Sequence, residues 1–320
     1  MSKPLRALVL HRNQWIKFNR IEGQFQYPVP EFTWEQRAVD VEFRMDLKSE
    51  ARGFDFVWLD EGKYGRQVAH FAPGPGTARP MPVVQQVVNI TLSQGHFEDR
   101  LRRAVYNADA VAVDHGPLER WGRLSRPAFH LSYATNEERY KPAEKDVDVG
   151  HYAIWGYTWE RAALDAWLEG FCKRKGWTFL SNRGAQWDEH YPAALGRTKV
   201  VVNLNRTAET RPHRLMDVSA CGGVLLTNPF SPVANEAWAD GVHYVSFEKP
   251  ATAGIGVAQP GEVQYNDGDC GELIKTLEWL LDGGNWERIA GQARQEVLSA
   301  HTWRVRAPQL RQKLAEALGL

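Results

Sequence analysis

The chain has 320 residues, of which 43% are hydrophobic and 24% charged, a composition typical of a folded globular protein and not of a disordered one. A chain of this length is long enough for two domains of about 150 residues each. Lys plus Arg and Asp plus Glu both number 39, so no overall charge attracts nucleic acid or a membrane, and a site for a polyanion has to be a local patch.

The cysteines and the N-terminal segment indicate the cellular compartment. Cys172, Cys221 and Cys270 are far apart and odd in number, which is typical of neither a disulfide framework nor a metal cluster and favours a reducing compartment. The apolar run at residues 8–10 is too short for a signal peptide, and no later run has the length of a membrane span. We therefore expect a soluble, cytoplasmic protein without a membrane partner.

The first 140 residues contain short apolar runs that end in glycine and polar residues. Such runs predict buried parallel strands with loops at their carboxyl ends. The predicted strands are residues 5–10, 54–59, 83–90 and 110–113, and a helix is predicted at 97–107. The polar stretch 134–149 is interpreted as the linker to a second domain.

Beyond the linker, strands and helices alternate more clearly. The predicted strands are residues 152–155, 177–180, 199–204, 224–227 and 243–247, and the predicted helices are 158–175, 214–220, 233–239, 270–281, 286–300 and 302–320. Such alternation predicts an α/β fold with parallel sheets covered by helices. We predict two Rossmann-like domains, 1–140 and 141–301, that face each other across a cleft, with the last helix, 302–320, returning to the first domain.

Basic residues surround a predicted helix start in the segment 201–248. Arg206, Arg211 and Arg214 flank the start of the helix, and such an end surrounded by guanidinium groups is suited to bind a diphosphate. Asp217 lies one turn into that helix, where a carboxylate can accept hydrogen bonds from a ribose diol. Glu209 lies in the preceding loop, within reach of sugar hydroxyls.

This segment resembles the donor-binding signature of GT-B glycosyltransferases, in particular the spore-maturation-protein-like (CgeB-like) group. The stretch Asp148-Val149-Gly150 followed by Arg161, and the closing stretch from Ser299 to Trp303, are similar to the same group. The residues of the main segment that match are Asn205, Arg214, Asp217, Ala220-Cys221-Gly222, Thr227, Glu236 and Gly241.

The resemblance implies an enzyme that takes a nucleotide-sugar, preferably UDP-linked, as co-substrate and that needs no cofactor and no metal. The implied donor-binding residues are Gly156, Arg161, Asn205, Arg206, Arg211, Arg214, Asp217 and Glu236. Glu209 and Asp217 stand where retaining members carry two glutamates, so Glu209 is expected to contact the donor sugar and Asp217 the ribose. The acidic pair Asp146 and Asp148 imitates a metal-binding motif but is interpreted as a surface pair.

The acceptor is less well defined by the sequence. Residues 1–21 carry five basic residues and no acid, and Arg12 and Lys17 lie on either side of Trp15. Phosphate-binding charges next to a stacking ring are typical of a nucleic-acid groove, which favours a hydroxymethylated pyrimidine in DNA as the acceptor. A platform for a sugar and a solvated basic edge are open alternatives, with a saccharide, a protein or a small molecule as acceptor.

Candidates for a catalytic base lie at predicted strand ends in the first domain: Asp60, Asp114 and His115. An inverting enzyme needs such a base, whereas in a retaining enzyme the leaving phosphate can take the proton. The sequence leaves this choice and the oligomeric state open. A non-enzymatic two-domain module that closes on a small ligand is the alternative from another functional class.

Overall fold

The computed structural model describes residues 3–12, 29–39, 52–59, 82–87, 108–113, 127–131, 134–152, 159–182, 190–205, 211–230, 236–250 and 264–320. The chain divides into two compact units. The first consists of Met1–Ala134, Val233–Asn235 and His301–Leu320, and the second of Thr135–Pro232 and Glu236–Ala300.

The first unit is built on a parallel sheet. Its described strands are β1 (Leu5–Arg12), β2 (Phe32–Val39), β3 (Phe56–Leu59), β4 (Val83–Val87), β5 (Ala110–Val113) and β6 (Ala128–His130), in the order β2-β1-β3-β4-β5-β6. All neighbouring strands are parallel. The four strands predicted in this half are confirmed where they are described. β2 was not predicted because three consecutive polar residues, 35–37, interrupt its apolar residues, and β6 is only three residues long.

The second unit has its own parallel sheet with helices between the strands. Its strands are β7 (Val147–His151), β8 (Phe179–Ser181), β9 (Thr198–Asn203), β10 (Val224–Thr227) and β11 (Val245–Ser246). Its helices are α1 (Trp159–Lys175), α2 (His190–Arg197), α3 (Arg214–Ala220), α4 (Gly271–Leu281) and α5 (Asn285–Ala300). The order β11-β10-β9-β7-β8, parallel throughout, makes the strand order reverse between β7 and β9.

The interpretation of residues 134–149 as a linker is wrong in its last part, because β7 begins at Val147 and is an interior strand of the sheet. The predicted strand at 152–155 therefore begins too late. The charge of Asp148 hid this strand from sequence reasoning. In the structure its Oδ1 accepts a hydrogen bond from Lys199 Nζ at 2.6 Å, and its Oδ2 accepts one from Thr178 Oγ1 at 2.9 Å.

The predicted helix at 233–239 is wrong for residues 236–239, which are not helical; residues 233–235 lie outside the described part. Residues 236–239 lead into a tight turn instead. In that turn the Gly241 N–H donates to the carbonyl of Tyr244 at 2.8 Å, and Gly241 has a φ of 73°, a conformation that favours glycine. The predicted helix at 97–107 lies outside the described residues.

The last helix, α6 (Trp303–Leu318), belongs to the first unit. Its apolar side chains recur at helical spacing and enter the core of that unit: Trp303, Ala307, Leu310 and Leu314 pack with Ala7, Val9, Phe32 and Phe56. The Arg311 guanidinium also donates to the carbonyls of Glu31 at 3.1 Å and Lys3 at 2.8 Å. The α/β class with two parallel-sheet domains is confirmed. No helix in the described part of the chain has the length and apolarity to cross a membrane.

Candidate functional site

The strand order of the second unit indicates where a ligand binds. In open parallel α/β sheets, ligands bind outside the carboxyl ends of the strands at the point where the strand order reverses. Here that point lies between β7, which ends at His151, and β9, which ends at Asn203. The neighbouring strand, β10, ends at Thr227 and is followed by Asn228.

Two guanidinium groups are anchored at this edge of the sheet. Arg161 on α1 donates from Nη2 to the carbonyl of Leu204 at 2.8 Å, and Arg214 on α3 donates from Nη1 to Asn203 Oδ1 at 2.5 Å. Arg214 Nε also donates to the hydroxyl of Tyr191 at 3.3 Å. Two positive charges that are anchored to consecutive residues, Asn203 and Leu204, form an arrangement suited to a phosphate or diphosphate.

Side-chain amides join the ends of β9 and β10 and the first residues that follow them. Asn203 Nδ2 donates to Thr227 Oγ1 at 3.0 Å, which joins the two strand ends. Beyond the two strand ends, Asn228 Oδ1 accepts from the backbone N–H of Asn205 at 2.6 Å, and Asn228 Nδ2 donates to the Asn205 carbonyl at 3.4 Å. Asn205, predicted to bind the donor, is thus held beside the arginine anchors.

α3 carries Arg214 and Asp217 on successive turns. Asp217 is buried, and its Oδ1 accepts a hydrogen bond from the Thr135 hydroxyl at 2.9 Å. The far end of the helix is held by Lys145, whose Nζ donates to the carbonyls of Thr198 and Cys221, both at 2.8 Å. A cation at the carboxyl end of a helix is favourable, so Lys145 stabilises the helix that carries both residues.

Arg211 and Glu236, both predicted to bind the donor, form a buried ion pair. Arg211 Nε lies 2.7 Å from Glu236 Oε2, and their side chains are 0% and 1% exposed. Because removal of one partner leaves an uncompensated buried charge, each of the two side chains depends on the other. Direct contacts of either residue with a donor stay a prediction.

His151 and Asp165 form a second buried pair, which the sequence analysis missed. His151 ends β7, and its Nδ1–H donates to Asp165 Oδ1 on α1 at 2.6 Å. Burial lowers the pKa of His151 most, the positive charges of Arg214 and Arg161 lower it further, and the hydrogen bond to Asp165 opposes them. The imidazole is therefore neutral near pH 7. One signal was available: Asp165 follows the buried Leu164 on α1, and a carboxylate on an apolar helix face needs a partner.

The acidic pair Asp146 and Asp148 lies away from this edge, at the amino end of β7. The Asp146 carboxylate accepts from Arg197 Nε at 2.8 Å and Asp148 from Lys199 Nζ, so both acids are engaged with basic side chains, although Asp148 is partly buried and not a surface residue. No group of three potential metal ligands occurs among the residues that the structure describes. Independence of a metal stays a prediction.

Several predicted site residues lie outside the described residues: Trp15, Lys17, Asp60, Asp114, His115, Gly156, Arg206 and Glu209. Arg12 ends β1, and only its backbone is described. The acceptor site and the catalytic base therefore stay predictions.

Three solved structures are similar to this chain in fold. HepE of Anabaena, crystallised with UDP-glucose, aligns with a TM-score of 0.58 at 13% identity over 98% of this chain and 99% of HepE. A glycosyltransferase of Rickettsia africae aligns with a TM-score of 0.60 at 9% identity over 99% of both chains. TarM of S. aureus aligns with a TM-score of 0.55 at 10% identity over 81% of this chain and 54% of TarM.

Identities this low show the fold alone, which is the GT-B fold of two Rossmann-like domains. No curated protein matches the chain by sequence. The model of the family described as "Glycosyl transferase-like" matches residues 137–312, more than half of the 320 residues. The narrower CgeB-like group stays a prediction. The matched segment covers almost all of the second unit, including both arginine anchors, and the chain belongs to this glycosyl transferase-like family.

Proposed function

We propose that the protein transfers a sugar from a UDP-sugar to a hydroxyl of an acceptor and that the donor diphosphate binds at Arg161 and Arg214. One observation carries the proposal: both guanidinium groups are anchored to adjacent residues at the end of β9, where the strand order reverses. An anion with two phosphate groups matches two adjacent cations. Membership of the glycosyl transferase-like family supports a nucleotide-sugar as that anion.

The arginines act on the leaving group in this proposal. When the bond between the sugar and the diphosphate breaks, the electron pair of that bond stays on the phosphate oxygen, and the acceptor oxygen forms the new bond to the sugar. Arg161 and Arg214 stabilise the negative charge that develops on the diphosphate, and because they are anchored they need little reorganisation. The proton of the acceptor hydroxyl passes to a base, for which Asp60, Asp114 and His115 are the candidates, or to the leaving phosphate.

Asp217 is assigned to the ribose of the donor. It lies one turn after Arg214 on α3, so a nucleotide whose diphosphate contacts Arg214 brings its ribose near that turn. Glu209 in the preceding loop is assigned to the donor sugar, and Arg206 to the diphosphate. The buried pair of Arg211 and Glu236 supports the segment that leads into α3.

Uridine is proposed as the base of the nucleotide because HepE, which is similar in fold over nearly its whole length, was crystallised with UDP and with UDP-glucose. Which sugar is transferred is not part of the proposal. For the acceptor, a hydroxymethylated pyrimidine in DNA and a saccharide hydroxyl are the two classes to separate. None of the compared proteins supports DNA, so that prediction rests on the basic segment 1–21 alone.

Calorimetry with UDP tests the donor site. We expect Arg161→Ala and Arg214→Ala each to weaken UDP binding by about 1.5–3 kcal/mol, the range for hydrogen bonds to charged groups. Arg174→Ala is the matched control, because Arg174 lies near the other end of α1 and pairs with Asp267 on the surface. Unchanged UDP affinity in both site variants, with the wild-type protein binding UDP, contradicts the assignment.

A second measurement separates an enzyme from a module that only binds a small molecule. Glycosyltransferases with a bound donor and no acceptor are expected to transfer the sugar slowly to water. We expect UDP to accumulate when the wild-type protein is incubated with UDP-sugars, and to accumulate more slowly with Arg214→Ala. Tight binding of a UDP-sugar without any turnover, with or without acceptors, favours the binding module.

A further inference from the structure

The pair formed by His151 and Asp165 lies directly beneath the edge where the donor is proposed to bind. His151 is the last residue of β7 and stands opposite Val202 of β9, one residue before Asn203. The side chains of His151 and Asp165 are only 1% and 7% exposed, so their contact is a buried one and not a contact of the surface. Polar side chains this deeply buried are costly unless they are bonded.

α1 is tied to two strands through residues one helical turn apart. Asp165 connects the helix to the end of β7, and Arg161, four residues earlier on the same face, connects it to the residue after β9. The first turns of α1 therefore span the point where the strand order reverses. Loss of either connection frees the helix to shift relative to the two strands, and Arg161 shifts with it.

The neutral state of the imidazole suits a role in holding the helix. The charged groups that act on His151 are Asp165 and Arg161 from α1 and Arg214 from α3. A neutral ring donates through Nδ1–H to Asp165 without adding a third positive charge beside the two guanidinium groups. The hydrogen bond thereby holds the Asp165 carboxylate in one position, near the Arg161 and Arg214 guanidinium groups that are proposed to bind the anionic donor.

We propose that His151 and Asp165 are a positioning pair of the donor site, which locks the start of α1 to the end of β7 and thereby sets the distance between Arg161 and Arg214. This inference rests on the proposed function. Neither residue needs to touch the donor. Their effect on binding is indirect, through the position of Arg161.

The test compares substitutions of His151 that keep or remove the hydrogen bond. His151→Leu removes the Nδ1–H that donates the hydrogen bond to Asp165, whereas His151→Asn places an amide N–H close to the position of Nδ1. We expect H151L to weaken UDP binding and to lower kcat/KM for UDP-sugar hydrolysis by about tenfold to a hundredfold, since small displacements of a binding group have effects of that size. H151N is expected to stay within about threefold of wild type, because the bond to Asp165 is restored.

Val149→Ala is the control for a merely structural effect. Val149 is fully buried in the same strand, two residues before His151, so its truncation lowers the unfolding temperature without touching α1's connection at Asp165. We expect V149A to bind UDP like wild type. If H151L does not fold, H151Q is compared with H151N, because the amide of the longer Gln side chain lies near the Nε2 position and misses Asp165.

The outcomes separate this inference from the proposed function. Failure of the wild-type protein to bind UDP or any UDP-sugar overturns the proposed function, and the positioning pair with it. If wild type binds UDP and H151L, or H151Q in its place, binds equally well, only the positioning pair is overturned. The same conclusion follows if V149A loses UDP affinity in proportion to its loss of stability, as H151L does.

Discussion

Removal of one partner of the buried pair of Arg211 and Glu236 should destabilise the second unit strongly. The two side chains are 0% and 1% exposed and 2.7 Å apart, so Arg211→Ala leaves the Glu236 carboxylate buried without its guanidinium. Breaking such a pair costs about 3–5 kcal/mol of folding free energy. We expect Arg211→Ala and Glu236→Gln each to show a loss of that size in urea denaturation followed by circular dichroism.

Replacing both partners separates the pair interaction from the two single effects. The double variant Arg211→Met/Glu236→Leu removes both charges and fills similar volume, and it should lie within about 2 kcal/mol of wild type because no buried charge remains. The two single losses should therefore not add. Single losses below about 1 kcal/mol, or a double variant that equals their sum, would refute the reasoning.

The same variants address the direct role predicted for Arg211 in binding the diphosphate. If its guanidinium acts only on Glu236, UDP affinity measured on the folded Arg211→Met/Glu236→Leu protein should match wild type. A loss of about 1.5–3 kcal/mol in that double variant would instead support direct contact of the pair with the donor.

Three further predictions concern pH, metal and the acceptor. The pKa of His151 is lowered in the folded state, so the unfolded chain takes up the proton first as the pH falls. The free energy of unfolding should therefore be constant above about pH 6.5 and fall below it by up to about 1.4 kcal/mol per pH unit. Unfolding measured from pH 7 to pH 5 should show this slope in the wild type and not in His151→Asn. Transfer should continue in EDTA because Asp146 and Asp148 are engaged with basic side chains; complete loss that a divalent ion restores would reveal a metal site. If the acceptor is DNA, its apparent affinity should fall by roughly one power of salt concentration per phosphate contacted, and Lys17→Ala should weaken it. An acceptor affinity that does not change across a salt series assigns the acceptor to the neutral saccharides.

The sequence predicted those parts of the fold that depend on local pattern. The bounds of α3 and β10 were predicted to the residue. The Ala-Cys-Gly-Gly turn ends α3, and a run of valine and leucine residues begins β10. Gly222 in that turn has a φ of 66°, which favours glycine, so the stop signal was local as well. Segments of this kind need no knowledge of distant partners.

The misread start of β7 and the missed ion pairs have a common physical cause in partners that are distant along the chain. β7 was interpreted as linker because Asp148 is charged, and the compensating Lys199 comes 51 positions later. The pairing of Arg211 with Glu236, 25 positions later, was likewise not predicted, and direct contact of Arg211 with the donor stays a prediction. A single sequence shows which charges exist but not which of them meet after folding.

The membership of α6 in the first unit affects the order in which the protein can fold during synthesis. The core of that unit includes Leu310 and Leu314 beside Ala7 and Phe56, so residues that share one core are synthesised about 250 residues apart or more. At roughly 5–20 residues per second, a ribosome needs on the order of ten seconds or more to make the intervening second unit. The second unit is thus synthesised in full before α6, and until then the core residues of the first unit lack the apolar side chains of that helix. This interval is when a nascent chain needs protection by a chaperone, and a premature stop codon before Trp303 would make the exposure permanent.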